Sequence, residues 1–271
     1  PRQPFLPFLQ KGIIMNIFAP VGRVFIAFLE STGRLARFTL KTVSHCFRPP
    51  FYFRALAGQM IEIGFYSLPV VALTTMFSGM VIALQSYSGL STLSSEGVVA
   101  SVVELTITRE LGPVMAALMV AGRVGAAMAA ELGTMRVTEQ IDALTTLSTN
   151  PFKYLIVPRV LAGVLMLPVL VLIGDIIGIY GGWLICVYKL DFNGTNFLRN
   201  VWNFMQAIDI YSGMTKAAVF GFIVTLLGCY NGYHSRGGAE GVGAATTNAV
   251  VASSILILIS NYWLTELFFA K

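Results

Sequence analysis

Three charged residues stand within long apolar stretches of this 271-residue sequence. Arg109 and Glu110 are neighbours just before a Gly112-Pro113 pair, and Lys216 lies in a later apolar stretch. Charged side chains in such surroundings need partners or water, so they are candidates for function. A lysine or arginine there is suited to hold a phosphate, as a point charge or a bidentate fork. An ion pair that only joins two helices explains Glu110 equally well.

Further acids in apolar sequence are weaker candidates. Asp175 and Glu104 are isolated among hydrophobic residues. Asp209 is expected to begin a helix at the outer surface, because aspartate favours helix starts.

The motifs of common enzymes are missing from the sequence. No lysine follows a glycine, which excludes a Walker A loop and therefore ATP hydrolysis by this chain. The two histidines, His45 and His234, do not form an H-E-x-x-H zinc site, and no G-x-S-x-G elbow occurs. The three cysteines are scattered in apolar sequence, so neither a metal site nor a disulfide framework is expected.

The composition identifies an integral membrane protein. Hydrophobic residues make up 56% of the sequence and charged residues 11%, whereas about 25% is usual for soluble domains. Mean hydropathy is +0.75. We therefore predict an all-α integral membrane protein that forms a single membrane domain, 1–271. The net charge of +5 is distributed to suit a membrane surface and does not indicate nucleic acid.

About 20 apolar residues cross a bilayer, and this length predicts five transmembrane helices at about 62–85, 111–132, 155–187, 210–232 and 244–269. Because 97–132 is too long for one straight span, Gly112-Pro113 is expected to break it, leaving 97–110 as an elbow or re-entrant piece. A polar loop is expected at 189–208. An odd number of spans argues against two inverted halves, and five helices hardly enclose a lipid-sized path, so a homodimer is expected.

The segment 12–48 is predicted to be an interfacial amphipathic helix. Its apolar residues recur at helical spacing on one face: Ile14, Ile17, Phe18, Val21, Val24, Phe25 and Phe28. Its basic residues share another face: Arg34, Arg37, Lys41, His45 and Arg48. A solvated helix packed on another subunit is the alternative. The positive-inside rule places the N-terminus in the cytoplasm and the C-terminus outside.

Two segments could mediate contacts. Small residues recur along one face of the second span, which lets another helix approach closely; they are Gly122, Gly125, Ala126, Ala129 and Gly133. Residues 134–148 are polar and lie on the predicted cytoplasmic side. They form either a plain connector or a coupling helix that docks into an ATPase, with Glu139, Gln140 and Asp142 as the polar residues.

The stretch RELGPVMAALMVAGRVGAAMAAELGTMRVTEQIDAL at 109–144 resembles the signature region of MlaE-type permeases. The resemblance continues through NPFKYLIVPRVLAG at 150–163 and NGY at 231–233, and it covers nearly all of the chain from about residue 50.

This resemblance implies an ABC-type phospholipid transporter in the inner membrane of a diderm bacterium, one that maintains outer-membrane lipid asymmetry. It implies two permease copies with three kinds of partner: an ATPase subunit (MlaF-like), a STAS-domain subunit (MlaB-like) and a hexameric MCE-domain protein (MlaD-like). It also implies that 134–148 is the coupling helix and that Arg109, Glu110 and Lys216 line the lipid cavity. No cofactor is expected beyond the ATP used by the partner.

A stand-alone secondary transporter is the alternative function. It would move protons through an intramembrane carboxylate, Glu110 or Asp175. Copurification of an ATPase distinguishes the two.

Overall fold

The computed structural model describes residues 18–89 and 96–270, and within these ranges the chain contains α-helices and no β-strand. The helices are α1 (Phe18–Cys46), α2 (Phe53–Gly64), α3 (Leu68–Gly89), α4 (Glu96–Thr106), α5 (Gly112–Val120), α6 (Ala126–Val137), α7 (Gln140–Thr146), α8 (Val157–Tyr188), α9 (Gly194–Phe204), α10 (Ala207–Tyr233) and α11 (Gly238–Phe269). The chain divides into two compact units, Pro1–Leu40 and Lys41–Lys271.

Within the described residues, five helical stretches are long and apolar enough to cross a membrane: Phe53–Gly89, Gly97–Val137, Phe152–Tyr188, Ala207–Tyr233 and Gly238–Phe269. We call them the first to fifth spans. They confirm the predicted all-α membrane fold. Each helix continues past the apolar run from which it was predicted, because a helix does not have to end where it leaves the hydrocarbon.

The second span corrects the prediction of an elbow at 97–110. The helix does not break at Gly112-Pro113. A π-helical turn, Ile107–Leu111, stands immediately before the proline, and the Gly112 N–H donates to the Ile107 carbonyl. The wider turn lets Pro113 occupy the beginning of α5, where a proline is tolerated.

The predicted polar loop at 189–208 also differs from the structure, because it contains the amphipathic helix α9. Asn193 caps this helix, and its side chain accepts hydrogen bonds from the backbone N–H groups of Thr195 (3.0 Å) and Asn196 (3.2 Å). Phe197 and Val201, four residues apart, are buried, whereas Trp202 is exposed. The cap and the four-residue spacing were visible in the sequence.

Small residues bring the spans into close contact. A side chain at Gly79 of α3 would overlap the carbonyl group of Gly178 in α8. On α10, a Cβ at Gly232 would lie 2.8 Å from the Ala129 carbonyl oxygen, and one at Gly228 would lie 3.0 Å from the Gly125 carbonyl oxygen. The small-residue face predicted on the second span therefore receives the fourth span of the same chain.

The structure describes α1 from Phe18 onward, so residues 12–17 of the predicted interfacial helix lie outside the described residues. α1 ends at Cys46, before Arg48. The basic side chains of Arg34, Arg37 and Lys41 are exposed. The position of this helix in the headgroup layer stays a prediction.

Candidate functional site

Lys216 lies at the centre of a polar cluster that joins three spans. Its side chain is fully buried. The ammonium group donates to the Glu110 carboxylate (2.9 Å), the Arg109 carbonyl (2.7 Å) and the Thr265 hydroxyl (2.8 Å). An ammonium has three N–H donors, and all three are used. Lys216 therefore links the second, fourth and fifth spans.

The carbonyl of Arg109 is available to Lys216 because of Pro113. In a regular helix the N–H of residue 113 would donate to the carbonyl of residue 109, but proline has no N–H. A buried carbonyl without a donor is costly in a membrane, and the Lys216 ammonium supplies the missing hydrogen bond. The Gly-Pro pair and the distant lysine thus form one structural unit.

Glu110 is the acidic partner of the cluster. One carboxylate oxygen accepts from Lys216 and lies 2.9 Å from the Thr265 hydroxyl, and the other accepts from the Asn261 side-chain amide at 2.8 Å. Its side chain is 37% exposed. The ion pair between helices that was considered for Glu110 is present, and one edge of the carboxylate remains accessible.

Asp209, and not Glu110, holds Arg109 in place. The Arg109 Nε donates to Asp209 Oδ1 at 2.7 Å, and the guanidinium lies 4.4 Å from the centroid of the Phe269 ring. Asp209 begins α10 as expected, since it forms a capping box with Gln206. It is fully buried, and its place at the outer side of the membrane stays a prediction.

The end of the Arg109 guanidinium is free to bind a ligand. Its side chain is 30% exposed. The two terminal nitrogens make no hydrogen bond with any other residue that the structure describes. A guanidinium edge with two parallel N–H groups matches a phosphate or carboxylate. Arg109 is therefore the residue of the cluster best placed to contact an anion.

Glu104 and Asp175 lie near the Lys216 cluster but do not pair with it. Glu104 is fully buried, with Oε1 3.3 Å from the Thr108 hydroxyl and Oε2 without a partner among the described residues. Asp175 Oδ1 is also buried without a partner in the described chain and lies against Gly112. Neither acid hydrogen-bonds to Arg109 or Lys216.

The predicted coupling segment, 134–148, consists of two parts. Residues 134–137 complete α6, and α7 begins after Glu139, whose backbone is left-handed (φ 59°). Ile141 is buried and anchors α7, whereas Glu139, Gln140 and Asp142 are exposed. Asp142 accepts from Arg136 at 2.6 Å. α7 thus presents a polar surface on the predicted cytoplasmic side.

Comparison with known proteins decides the family. The MlaE permease family matches residues 56–267. The chain belongs to the MlaE permease family. A probable ABC transporter permease of Rickettsia felis is 58% identical over 257 residues, which cover 95% of this chain and 99% of that protein.

More distant members carry more specific names. The intermembrane phospholipid transport system permease protein MlaE of Haemophilus influenzae is 36% identical over 262 residues, 95% of this chain and 99% of that protein. The chloroplastic protein TRIGALACTOSYLDIACYLGLYCEROL 1 of Arabidopsis thaliana is 39% identical over 220 residues, 80% of this chain and 62% of that protein.

The MlaE family match makes this chain a permease subunit of an ABC transporter, which argues against a stand-alone secondary transporter. The matched region contains the Lys216 cluster and α7. Sequence reasoning selected Arg109, Glu110 and Lys216 but missed Asn261, Thr265 and the burial of Asp209. The four-residue spacing of two polar side chains on one face of α11 was the available signal for Asn261 and Thr265.

Proposed function

We propose that this MlaE-family permease moves glycerophospholipid between the inner membrane and a periplasmic carrier, driven by ATP hydrolysis in a separate subunit. The observation that carries the proposal is Arg109, a partly exposed guanidinium on the second span whose terminal nitrogens bind no other described residue. The phospholipid transport named for the Haemophilus influenzae relative supports the same substrate class.

Arg109, Glu110 and Lys216 have different roles in the proposed lipid site. Arg109 contacts the lipid phosphate, which a bidentate guanidinium recognises well. Lys216 cannot offer a further N–H while it binds its three present acceptors, so it supports the wall of the site together with Glu110. The accessible edge of the Glu110 carboxylate faces the same space as the lipid headgroup.

The assembly follows from the proposed function. Two permease copies enclose the lipid path and bind an ATPase subunit, a STAS-domain subunit and a hexameric MCE-domain protein outside. The complex lies in the bacterial inner membrane, with the N-terminus cytoplasmic and the C-terminus periplasmic, and contributes to outer-membrane lipid asymmetry. The basic α1 and the polar α7 on the predicted cytoplasmic side support this orientation.

Transport in reconstituted vesicles tests the proposed function. The permease, co-expressed with its ATPase, is expected to copurify with that subunit and with glycerophospholipid. After reconstitution, transfer of a fluorescent phospholipid should require ATP and stop when the nucleotide is replaced by a non-hydrolysable analogue. Transfer that proceeds without ATP under a proton gradient would contradict the proposal.

Glu139 provides a test of the coupling surface. Glu139 is exposed and makes no ion pair with any described residue, whereas Asp142 is paired with Arg136. We expect Glu139→Lys to weaken ATPase retention through charge reversal alone, while Asp142→Lys also breaks the ion pair within the permease. ATPase recovered per permease on an affinity column measures the effect.

Asp191 is the matched control for Glu139. It is also an exposed acid with a left-handed backbone (φ 54°), but it lies on the predicted opposite side of the membrane. Asp191→Lys should retain the ATPase fully. Equal retention in the Glu139 and Asp191 variants would make α7 a plain connector.

A further inference from the structure

A polar cleft lies beside α7. It has a volume of about 320 Å³ and is formed by the end of α6, the beginning of α7 and the turn between α10 and α11. The turn contributes Ser235, Arg236, Gly237 and Gly238. The Gly-rich sequence of this turn does not indicate a binding site, because Gly-rich turns between spans are common.

The first turn of α11 opens into this cleft without a capping side chain. Gly237 occupies the N-cap position with a left-handed backbone (φ 93°), and no side chain accepts from the first N–H groups. The first N–H groups of a helix have no partner within the helix and carry partial positive charge. An anion placed in the cleft would accept from them.

Ser235 is an independent sign that the cleft binds a ligand. Its side chain is 6% exposed, and its hydroxyl makes no hydrogen bond with any residue in the described ranges. Ser235 lines the cleft beside the start of α11. Buried hydroxyl groups are normally hydrogen-bonded, so a partner from outside this chain is expected.

Arg236 is the cation of the cleft that is available to an acidic partner. Arg136 is neutralised by Asp142 at 2.6 Å. Arg236 is exposed and makes no ion pair with the described residues, so its guanidinium is available. Glu139 lies at the rim and Glu240 in the first turn of α11, and both are exposed to solvent, which weakens their repulsion of an anion.

We propose that this cleft receives an acidic side chain of the ATPase subunit, bound by Arg236, the Ser235 hydroxyl and the free N–H groups of α11. The proposal rests on the proposed function, which places the ATPase at α7. α7 and the cleft share Glu139 and Asp142. The ATPase would therefore contact the second and fifth spans together, and movement of the ATPase would reach two of the three spans that hold the Lys216 cluster.

Two substitutions test this contact in the complete permease–ATPase complex. Arg236→Gln removes the charge, and Ser235→Ala removes the hydroxyl without adding volume. Losing one charge-assisted hydrogen bond should weaken ATPase binding by about tenfold or more for Arg236→Gln, with a smaller loss for Ser235→Ala. Arg236→Lys should restore most of the binding. The dissociation of purified ATPase from permease in nanodiscs, measured at low and high salt, gives these values.

Arg199→Gln is the matched control, because Arg199 is exposed on α9 at the predicted opposite side of the membrane. It should bind the ATPase with unchanged affinity. Unchanged ATPase affinity in both Arg236→Gln and Ser235→Ala would overturn the inference, as would a loss of anionic-lipid binding without a loss of ATPase binding. If the unmodified permease itself binds no ATPase, the proposed function fails instead.

Discussion

Replacing Glu110 with alanine is expected to destabilise the permease strongly. The change leaves the Lys216 ammonium fully buried with no carboxylate. Removing one partner of a buried ion pair costs about 3–5 kcal/mol, and for a chain of this size that lowers the melting temperature by about 10 °C. Thermal unfolding of the purified permease in detergent measures the loss.

A double substitution separates the ion pair from the rest of the cluster. Lys216→Met should cost less than Glu110→Ala, because the Glu110 side chain is 37% exposed and keeps its hydrogen bond from Asn261. The Glu110→Ala and Lys216→Met double variant should be more stable than Glu110→Ala alone, since no buried charge remains. A Glu110→Ala permease that melts like the unmodified protein would show that the pair contributes no stability.

The sequence identified the functional charges but not their partners. Arg109, Glu110 and Lys216 stand out because charges are costly in apolar segments. Their pairing depends on which helices are neighbours and on how these helices are aligned along their axes. The spacing of residues along one helix does not contain this information. Arg109 and Glu110 are consecutive, so they point in different directions, and each meets a different residue of α10.

The prediction of a helix break at Gly112-Pro113 was wrong for a physical reason. A proline inside a long apolar segment predicts a break, because it removes a hydrogen bond and crowds the preceding turn. Here a π-helical turn makes room for the proline ring, and Lys216, more than 100 residues later, donates to the Arg109 carbonyl. A tertiary contact thus compensates for the local defect, and a single segment read alone cannot reveal it.

The small-residue face of the second span was predicted correctly as a packing surface, but its partner was not specified. Gly125 and Ala129 contact Gly228 and Gly232 of the fourth span. Gly122 is exposed, and a side chain added there would find no other atom of the described chain within 4 Å of its Cβ. Gly122 therefore marks an end of the face that is open to the expected second copy.

Arg109→Ala is expected to lower the phospholipid that copurifies with the permease by about tenfold. The reason is the loss of a charge-assisted contact to the lipid phosphate, worth about 1.5–3 kcal/mol. Lipid-stimulated ATPase activity of the complex should fall with it, while assembly with the ATPase persists. Arg109→Lys should recover only part of the retention, because an ammonium cannot form the two parallel hydrogen bonds of a guanidinium.

Arg123 is the control that distinguishes lipid binding from structural support. Its side chain is 30% exposed, like that of Arg109, but its three nitrogens bind Ser67 and Glu62 of the first span. Arg123→Ala should therefore lower thermal stability and leave the lipid per permease unchanged. Arg109→Ala should lower the lipid per permease, in addition to the stability that is lost because the buried Asp209 is left without its partner. If Arg109→Ala assembles normally and carries the unmodified amount of phospholipid, Arg109 does not contact the lipid, and its role is confined to the ion pair with Asp209.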